Sequence, residues 1–250
     1  MTQLKDIIGQ DLGLYKKNIN YRRHYVLPGQ EQSPLVSVTS IVSDVISKPA
    51  LVNWGKNIGI KAGQKTLEDI KGVFIDEDII EKFPLNARSH LNTLSLEAAD
   101  YGTEAHSLIE NIIEGYDPDI PQEFRSVIDS FNIWKSTTSL DLTMAETQVY
   151  SLTLGVAGTM DALALRGEEA VILDWKTGKG IYDDYSLQTG GYINCLEEMT
   201  GRKINEAWII RLGKEFPDFE ARQVNVEEAR EGFIQAKKFW DVLKGGNLWI

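Results

Sequence analysis

The hydrophobic pattern of the chain changes its period at Asp141, and this change constrains the fold more than any other feature. Before it, apolar residues recur at helical spacing in two stretches, which begin at Leu91 and Pro121. After it, apolar and polar residues alternate, which predicts three consecutive strands separated by turns at 154–155 and 166–169. The strands are "DLTMAETQVYS", "TLGVAGTMDALALR" and "EAVILDWKT".

The rest of the chain completes a mixed α/β pattern. A helix begins at Asp183 or Asp184 and stops at Gly201, and the strands "INEAWIIRLG" and "FEARQVNV" and a closing helix follow. The order from residue 91 is α-α-β-β-β-α-β-β-α, which predicts a mixed central β-sheet flanked by helices. Residues 1–90, with a strand at 20–27 and two short helices, are expected to form a mostly helical N-terminal extension of a single domain, 1–250.

Composition excludes several classes of site. Cys195 is the one cysteine, so an internal disulfide framework, a Cys-ligated zinc site and a Cys-ligated iron–sulfur cluster are excluded. No apolar run approaches the roughly 18 residues of a membrane span, and the first residues lack the layout of a secretory signal. We therefore expect a cytoplasmic protein with no membrane partner.

The net charge of −11 argues mildly against a nucleic-acid partner, because phosphate binding leaves a basic footprint. The charge is uneven, however. Residues 1–65 hold nine Lys and Arg against four Asp and Glu, a net +5, which leaves −16 on the remainder. The basic segment is either a local phosphate-binding face or chance scatter on a solvated surface.

Asp161 on the second predicted strand and Asp174 on the third are expected at the same level of the sheet. Pairing of these strands about a turn centred near 167–168 places Asp161 opposite Asp174. Facing carboxylates repel unless a cation lies between them. Mg²⁺ is bound in proteins by one or two carboxylates together with substrate phosphates, so the pair predicts a magnesium site.

Lys176 follows Asp174 at a spacing of two, so both side chains lie on one face of the strand. One can hold a metal while the other stabilises negative charge on a phosphate, as metal-assisted hydrolysis requires. A structural Asp–Lys pair at a strand end is the alternative.

Four further side chains are candidates on helices. Gln188 and Tyr192 lie on one face of the helix after Lys176, either to position a phosphate or as a buried tyrosine with a hydrogen-bonded hydroxyl. His106, on the long helix before the sheet, is a candidate base or metal ligand or a structural histidine. Glu110 lies one turn further along.

Five motifs together resemble the PD-(D/E)XK nuclease superfamily in its RecB-type exonuclease branch. They are "GTEAH" (102–106), "AETQVYS" (145–151), "GTMD" (158–161), "ILDWKTGK" (172–179) and "QTGGY" (188–192). They follow the family's order and cover roughly residues 91–200. The resemblance implies a restriction-endonuclease-like core, αβββαβ, within 91–250. The front section, "SVTSIV" and "LVNWGKNIGIKAG", is similar to mitochondrial genome maintenance exonucleases and phage relatives.

The resemblance also implies a role for each residue of the motifs. The implied metal ligands are His106, Asp161, Asp174 and the carbonyl of Trp175. Lys176 corresponds to the catalytic lysine, and Gln188 and Tyr192 to the motif that supports the site and the DNA. Glu146 matches a recurrent acid of the branch. The cysteines of the iron–sulfur subgroup are missing here, and "TGKG" lacks the layout of a P-loop.

The expected function is thus that of an exonuclease dependent on Mg²⁺ or Mn²⁺, acting on single-stranded DNA ends in replication, recombination or repair. Histidine ligation makes Mn²⁺ at least as suitable as Mg²⁺. Two alternatives stay open: a structure-selective endonuclease, and a non-catalytic nucleic-acid-binding protein on the same fold. The motifs do not indicate cleavage polarity, processivity, the choice between DNA and RNA, or oligomeric state.

Overall fold

The structure is a computed structural model and describes residues 12–245, so the predictions for residues 1–11 lie outside the described residues. The chain forms two compact units, where the sequence predicted one domain with an extension. The first unit contains the described residues up to Ser47 and those from Ala105 onward, and the second contains Lys48–Glu104.

The first unit contains eight strands and most of the helices. Its strands are β1 (Tyr15–Ile19), β2 (Arg22–Val26), β3 (Leu35–Ser37), β4 (Asp141–Ser151), β5 (Val156–Arg166), β6 (Glu169–Lys176), β7 (Glu206–Leu212) and β8 (Phe219–Gln223). Its helices are α1 (Val38–Val45), the end of α3 (Glu77–Ile113), α4 (Arg125–Thr137), α5 (Asp183–Thr200) and α6 (Val226–Gly245). A 3-10 turn, Gln122–Phe124, precedes α4.

The strands form one mixed sheet in the order β1-β2-β3-β5-β6-β7-β8, with β4 paired to β5. Because β4 runs along β5 from residue 156 to residue 165, β3 and β6 must share the other edge of β5. The β3–β5 and β6–β7 pairs are parallel and the other pairs are antiparallel. The predicted mixed sheet flanked by helices is confirmed.

Helices cover both faces of the sheet. Ile172 of β6 belongs to a large buried cluster with α1, α5 and α6, which includes Ile41, Ile193 and Phe233. Trp175 points to the opposite face, because side chains alternate along a strand. There its ring packs edge-on against Trp134 of α4, with ring centroids 4.9 Å apart.

The two turns that connect β4, β5 and β6 each contain a glycine with a left-handed backbone. The β4–β5 and β5–β6 connections contain Gly155 and Gly167, with φ of 65° and 66°, a backbone region that favours glycine. These glycines stop one strand and start the next, so the bounds of β4, β5 and β6 follow the sequence pattern closely.

The front of the chain differs from the prediction. Residues 15–37 form three strands of the main sheet, so the front section is helical only from Val38 onward. β1 is mostly exposed and polar, and it is held by pairing with β2, which pairs in turn with β3. Long-range pairing of this kind leaves no local periodicity, which is why only the strand at 20–27 was expected.

Helix bounds also depart from the sequence pattern. The long helix α3 begins at Glu77, well before Leu91, and it contains Pro84. The residue before the first helical residue of α5 is Tyr182, and Asp183 and Asp184 occupy the first turn, where their charge complements the helix dipole. Prediction from residue type placed the cap on the acids themselves.

The second unit consists of α2 (Pro49–Asp69) and the first part of α3. The predicted short helix at 48–59 is therefore much longer. Ile58, Ala62 and Thr66 are buried at a spacing of four, which forms one apolar stripe along α2. Over the described residues, no helix has the length and hydropathy that a membrane span requires.

Candidate functional site

The candidate site lies where β5 and β6 separate. Their last paired residues at this end are Ala162 and Leu173, so Asp161 and Asp174 stand opposite each other at the next position, as the sequence predicted. Beyond this point the edge of β5 is taken by β3 instead. The backbone N–H of Trp175 donates a hydrogen bond of 2.8 Å to Asp161 Oδ2. This bond links the two strands where their ladder ends.

Asp161 also contacts a histidine from α3. His106 Nδ1 lies 3.3 Å from Asp161 Oδ1, so the structure brings together two residues that the resemblance implies as metal ligands. Burial alone would raise the pKa of Asp161, but His106 and Lys176 together with the Trp175 N–H hold it below the ordinary value. Burial alone would lower the pKa of His106, and Asp161 outweighs this and raises it. Without a metal, both shifts in pKa favour a protonated imidazole beside an ionised carboxylate.

Glu146 of β4 is the third member of this cluster. Its neighbours Ala145 and Thr147 pair with Ala162 and Met160, which places Glu146 opposite Asp161. Its φ of 45° lies in the left-handed region, which costs a non-glycine residue roughly 1–3 kcal/mol and is found preferentially at functional sites. Burial, and then the charge of Asp161, raise the pKa of Glu146.

His106, Glu146 and Asp161 each offer a ligand atom, and these atoms all lie within 4.8 Å of one another. One imidazole nitrogen and two carboxylates form a donor set that suits Mn²⁺ and Mg²⁺, with carboxylates preferred by both and imidazole favouring Mn²⁺. We call these three residues the His–Glu–Asp cluster. The repulsion between the carboxylates of Glu146 and Asp161 is what a bound cation would relieve, so the residues fit such an ion.

Asp174 lies beside this cluster, and its carboxylate pairs with a lysine. Its side chain is 1% exposed, and Oδ2 contacts the ammonium group of Lys176. Apart from this ion pair, neither oxygen of Asp174 has a hydrogen-bond partner among the described residues. Burial raises the pKa of Asp174 to about 6, against the opposing effect of Lys176. A buried carboxylate with free lone pairs is a further oxygen donor for a cation.

Lys176 remains charged in this setting. Burial would lower the pKa of its ammonium, but Asp174 and Asp161 outweigh burial and raise it. The ammonium also lies 4.8 Å from the centre of the Tyr185 ring, a cation–π contact from α5. The prediction that Asp174 and Lys176 project together is confirmed, and Tyr185 is a neighbour that the sequence did not reveal.

Gln188 and Tyr192 meet each other on α5, as their spacing predicted. Gln188 Nε2 donates a hydrogen bond of 2.7 Å to the Tyr192 hydroxyl. Tyr192 is buried, and burial raises the pKa of its phenol, so the group is neutral. Its ring lies against β5, where a Cβ on Gly158 would come within 2.5 Å of Tyr192 Cε1. The pair therefore fixes α5 against the strand that carries Asp161.

The two glycines of "QTGGY" serve packing. A Cβ on Gly190 would lie 1.9 Å from the carbonyl oxygen of Ala229 on α6, and one on Gly191 would lie 2.5 Å from Val38 Cγ1. Only glycine lets α5 approach α6 and α1 so closely. This part of the motif was visible in the sequence, but its steric purpose depends on helices distant along the chain.

The remaining candidates occupy different positions. Glu110 does not join the His–Glu–Asp cluster, and burial followed by the charge of Glu114 raises its pKa. Trp175 directs its backbone N–H toward Asp161, and since the N–H and C=O of one strand residue point to the same edge, its carbonyl faces that edge too. The strained backbone of Glu146 was not predictable, because no residue type in "LTMAETQ" demands a left-handed conformation.

Comparisons with known proteins add little to this geometry. No protein-family model matches the chain, and no curated protein matches it. A solved structure of SSO0001 aligns with a TM-score of 0.38 at 10% identity, covering 75% of this chain and 87% of that chain. A similarity of this size carries no conclusion about fold or function.

Proposed function

We propose that this protein is a metal-dependent deoxyribonuclease that hydrolyses phosphodiester bonds from the ends of single-stranded DNA, with Mg²⁺ or Mn²⁺ as cofactor. The observation that carries the proposal is a charged, partly buried Lys176 paired with the buried Asp174 beside the His–Glu–Asp cluster. The ordered motifs that resemble the PD-(D/E)XK superfamily support the same conclusion. Such an activity would serve DNA replication, recombination or repair.

Residues from four elements, α3, β4, β5 and β6, would bind the cation. His106, Glu146 and Asp161 would hold the ion, with Asp174 and the Trp175 carbonyl as further oxygen donors at the strand separation. When bound, the ion would supply charge for the phosphate oxygens and acidity for a water nucleophile. It would also offset the negative charge of the site, which a polyanionic substrate must approach.

Lys176 would act on the phosphate directly. Its ammonium stays protonated because two buried carboxylates surround it, so it can donate to a phosphate oxygen on which negative charge develops. Asp174 and the ring of Tyr185 fix the ammonium from two directions. A donor that is already oriented needs no reorganisation during the reaction, which is the main source of electrostatic catalysis.

A digestion series tests the proposal. Single and double strands labelled at the 5′ or 3′ end, and a circular single strand, are incubated with Mg²⁺, with Mn²⁺ and with EDTA. We expect cleavage of linear single strands with either metal, none with EDTA, and an intact circle. Cleavage of the circle would identify an endonuclease, and binding without cleavage in either metal would identify a non-catalytic binding protein.

A pair of lysine variants separates catalysis from folding. Lys176→Ala should lose at least about 10²-fold in rate while its circular dichroism stays that of the parent protein. Lys203→Ala is the matched control, because Lys203 is exposed and pairs only with Glu227 in the described residues. If the Lys176→Ala protein cleaves as fast as the control, Lys176 has no catalytic role.

A further inference from the structure

The connection between β7 and β8 is unusually well fixed for a surface loop. The Gly213 N–H donates to the Asp218 carbonyl at 2.9 Å, and the Asp218 side chain forms two hydrogen bonds with Arg211. Ser130 of α4 accepts from the Asp218 N–H at 3.1 Å, and Ser126 donates to the Gly213 carbonyl at 3.0 Å. The segment 213–218 is thus tied to the sheet, to itself and to α4.

Glycine is required at the start of this loop. A Cβ on Gly213 would lie 2.0 Å from Asp218 Oδ1 and 2.2 Å from the Phe216 carbonyl oxygen. The loop therefore closes over a position where no side chain fits. A closure of this kind fixes the direction of the residues at its tip.

The loop presents Phe216 to solvent. This side chain is 75% exposed, although phenylalanine gains about 1.5–3 kcal/mol from complete burial. One exposed apolar residue on a protein surface is ordinary. An aromatic ring on a loop whose two ends are held by six hydrogen bonds is a different case, because little further entropy is lost in ordering that loop on binding.

The loop that carries Phe216 begins at the end of β7 that lies beside Lys176 of the candidate active site. β6 and β7 are parallel, and Lys176 pairs with Arg211 in their register. Neighbouring strands lie about 4.8 Å apart, so β7 ends beside Lys176 and the 213–218 loop begins at that point. A single strand with a phosphate bound at Lys176 would pass its neighbouring nucleotides along this end of β6 and β7, where the loop begins.

We propose that Phe216 stacks on a nucleobase of the single strand whose phosphate is bound at Lys176. This inference rests on the proposed nuclease function and adds the means by which the site prefers single strands. Aromatic rings bind unpaired bases through stacking, which tolerates any sequence because every base has a π-face. In a duplex each base is stacked between its neighbours, so no base face is available to the ring of Phe216. The ring therefore selects single-stranded substrate without reading its sequence.

Steady-state cleavage supplies the first test. Phe216→Ala should raise KM for a linear single strand by about tenfold, the equivalent of one lost stacking contact, with kcat within about twofold of the parent. Phe216→Tyr should keep KM near the parent value. Phe239→Ala is the control, since Phe239 is 54% exposed on α6. An unchanged KM in Phe216→Ala, or an equal rise in Phe239→Ala, would overturn the proposal.

Binding by the parent protein in EDTA, where Lys176 is intact and no cleavage is expected, supplies a test that does not need cleavage. Oligonucleotides with 2-aminopurine placed at successive positions report stacking by loss of fluorescence. We expect one position near the bound end to be quenched, and Phe216→Ala to restore its emission. Quenching that survives Phe216→Ala overturns the inference even if the protein is a nuclease. Quenching that depends on Phe216 in a protein that never cleaves DNA upholds the stacking site and refutes the nuclease function.

Discussion

The backbone N–H of Trp175 donates a hydrogen bond to the carboxylate of Asp161 across the gap where β5 and β6 stop pairing. This contact to a side chain replaces the backbone hydrogen bond that the next residue pair of the two strands would make. It holds Asp161 close to the strand that carries Asp174 and Lys176, while leaving the second oxygen of Asp161 toward His106. One strand separation thus brings acid, base and ammonium groups together.

Lys176→Met should destabilise the metal-free protein more at high pH than at low pH. Burial already places the pKa of folded Asp174 above its ordinary value, and removal of Lys176 raises it further. An acid whose pKa is higher in the folded state stabilises the fold below its unfolded pKa, and this contribution is lost as the pH rises through the folded pKa. We expect a loss of about 1–3 kcal/mol at pH 8 and little loss at pH 4.

Urea denaturation in EDTA at both pH values measures this difference. The double variant Asp174→Asn with Lys176→Met removes both charges and should recover most of the loss at pH 8, because no buried charge is left without a partner. A loss of equal size at the two pH values would show that Lys176 acts through packing alone.

Mn²⁺ binding should strengthen as the pH rises from about 6 to 8. Asp161 raises the pKa of His106, which favours the protonated imidazole, and a cation that binds this nitrogen must displace the proton. Displacement of one proton makes the Kd fall about tenfold for each pH unit. His106→Asn should weaken binding and reduce this slope by about one proton, whereas His24→Asn, on β2, should leave both unchanged.

Isothermal titration of Mn²⁺ in buffers of different ionisation enthalpy counts the released protons directly. A slope in His106→Asn that equals the slope of the parent protein would mean that the imidazole is not a ligand.

Glu146→Asn should stabilise the metal-free protein and weaken Mn²⁺ binding. Asparagine tolerates the left-handed backbone better than glutamate, and its neutral side chain removes the repulsion with Asp161. We expect a gain of about 1 kcal/mol in the free energy of unfolding and a loss of at least about tenfold in affinity for Mn²⁺.

Tyr21→Asn is the matched control for Glu146→Asn. Tyr21 also has a left-handed backbone, with φ of 62°, but it lies in the β1–β2 turn and is fully exposed. Thermal denaturation in EDTA should show a gain in both variants, while titration with Mn²⁺ should show a loss only in Glu146→Asn. If both variants bind Mn²⁺ as the parent does, Glu146 is not a metal ligand.

Gly190→Ala should be among the most damaging single substitutions in the first unit. The added methyl group would collide with the backbone of Ala229, which cannot move without displacing α6. We expect a loss of about 3 kcal/mol or more in the free energy of unfolding. Gly59→Ala on α2, where nothing lies within 4 Å of the added Cβ, should instead gain about 0.5–1 kcal/mol.

Chemical denaturation of both variants checks this contrast. A Gly190→Ala protein as stable as the parent would show that α5 and α6 lie further apart than the glycine contact requires.

Much of the site was predictable because it depends on local pattern. Alternation placed β4, β5 and β6, and the turn at Gly167 set their register, so the facing of Asp161 and Asp174 followed by counting. The spacings of Asp174 with Lys176 and of Gln188 with Tyr192 put each pair on one face, and both pairs are in contact. The predicted nuclease activity, its metal and its DNA substrate stay predictions.

Other features depended on residues far apart in sequence. The strands β1, β2 and β3 are held by pairing across the sheet, and no local pattern marked β1 or β3. The backbone of Glu146 is forced into a left-handed conformation opposite Asp161, and the Asp174 carboxylate is held by Lys176 instead of entering the cluster. Each is the result of competition among neighbours in space, which periodicity does not report.

The sequence by itself determined the order of the main elements, the register of one hairpin and the residue types that could bind a cation, since helical and strand periods are local properties of the chain. Only the tertiary structure decided which acid joins His106, how α3 delivers that histidine to the sheet, and that the 213–218 loop begins beside Lys176. Those outcomes depend on strand pairing and helix packing between segments distant in sequence, where burial and charge act over a few ångströms.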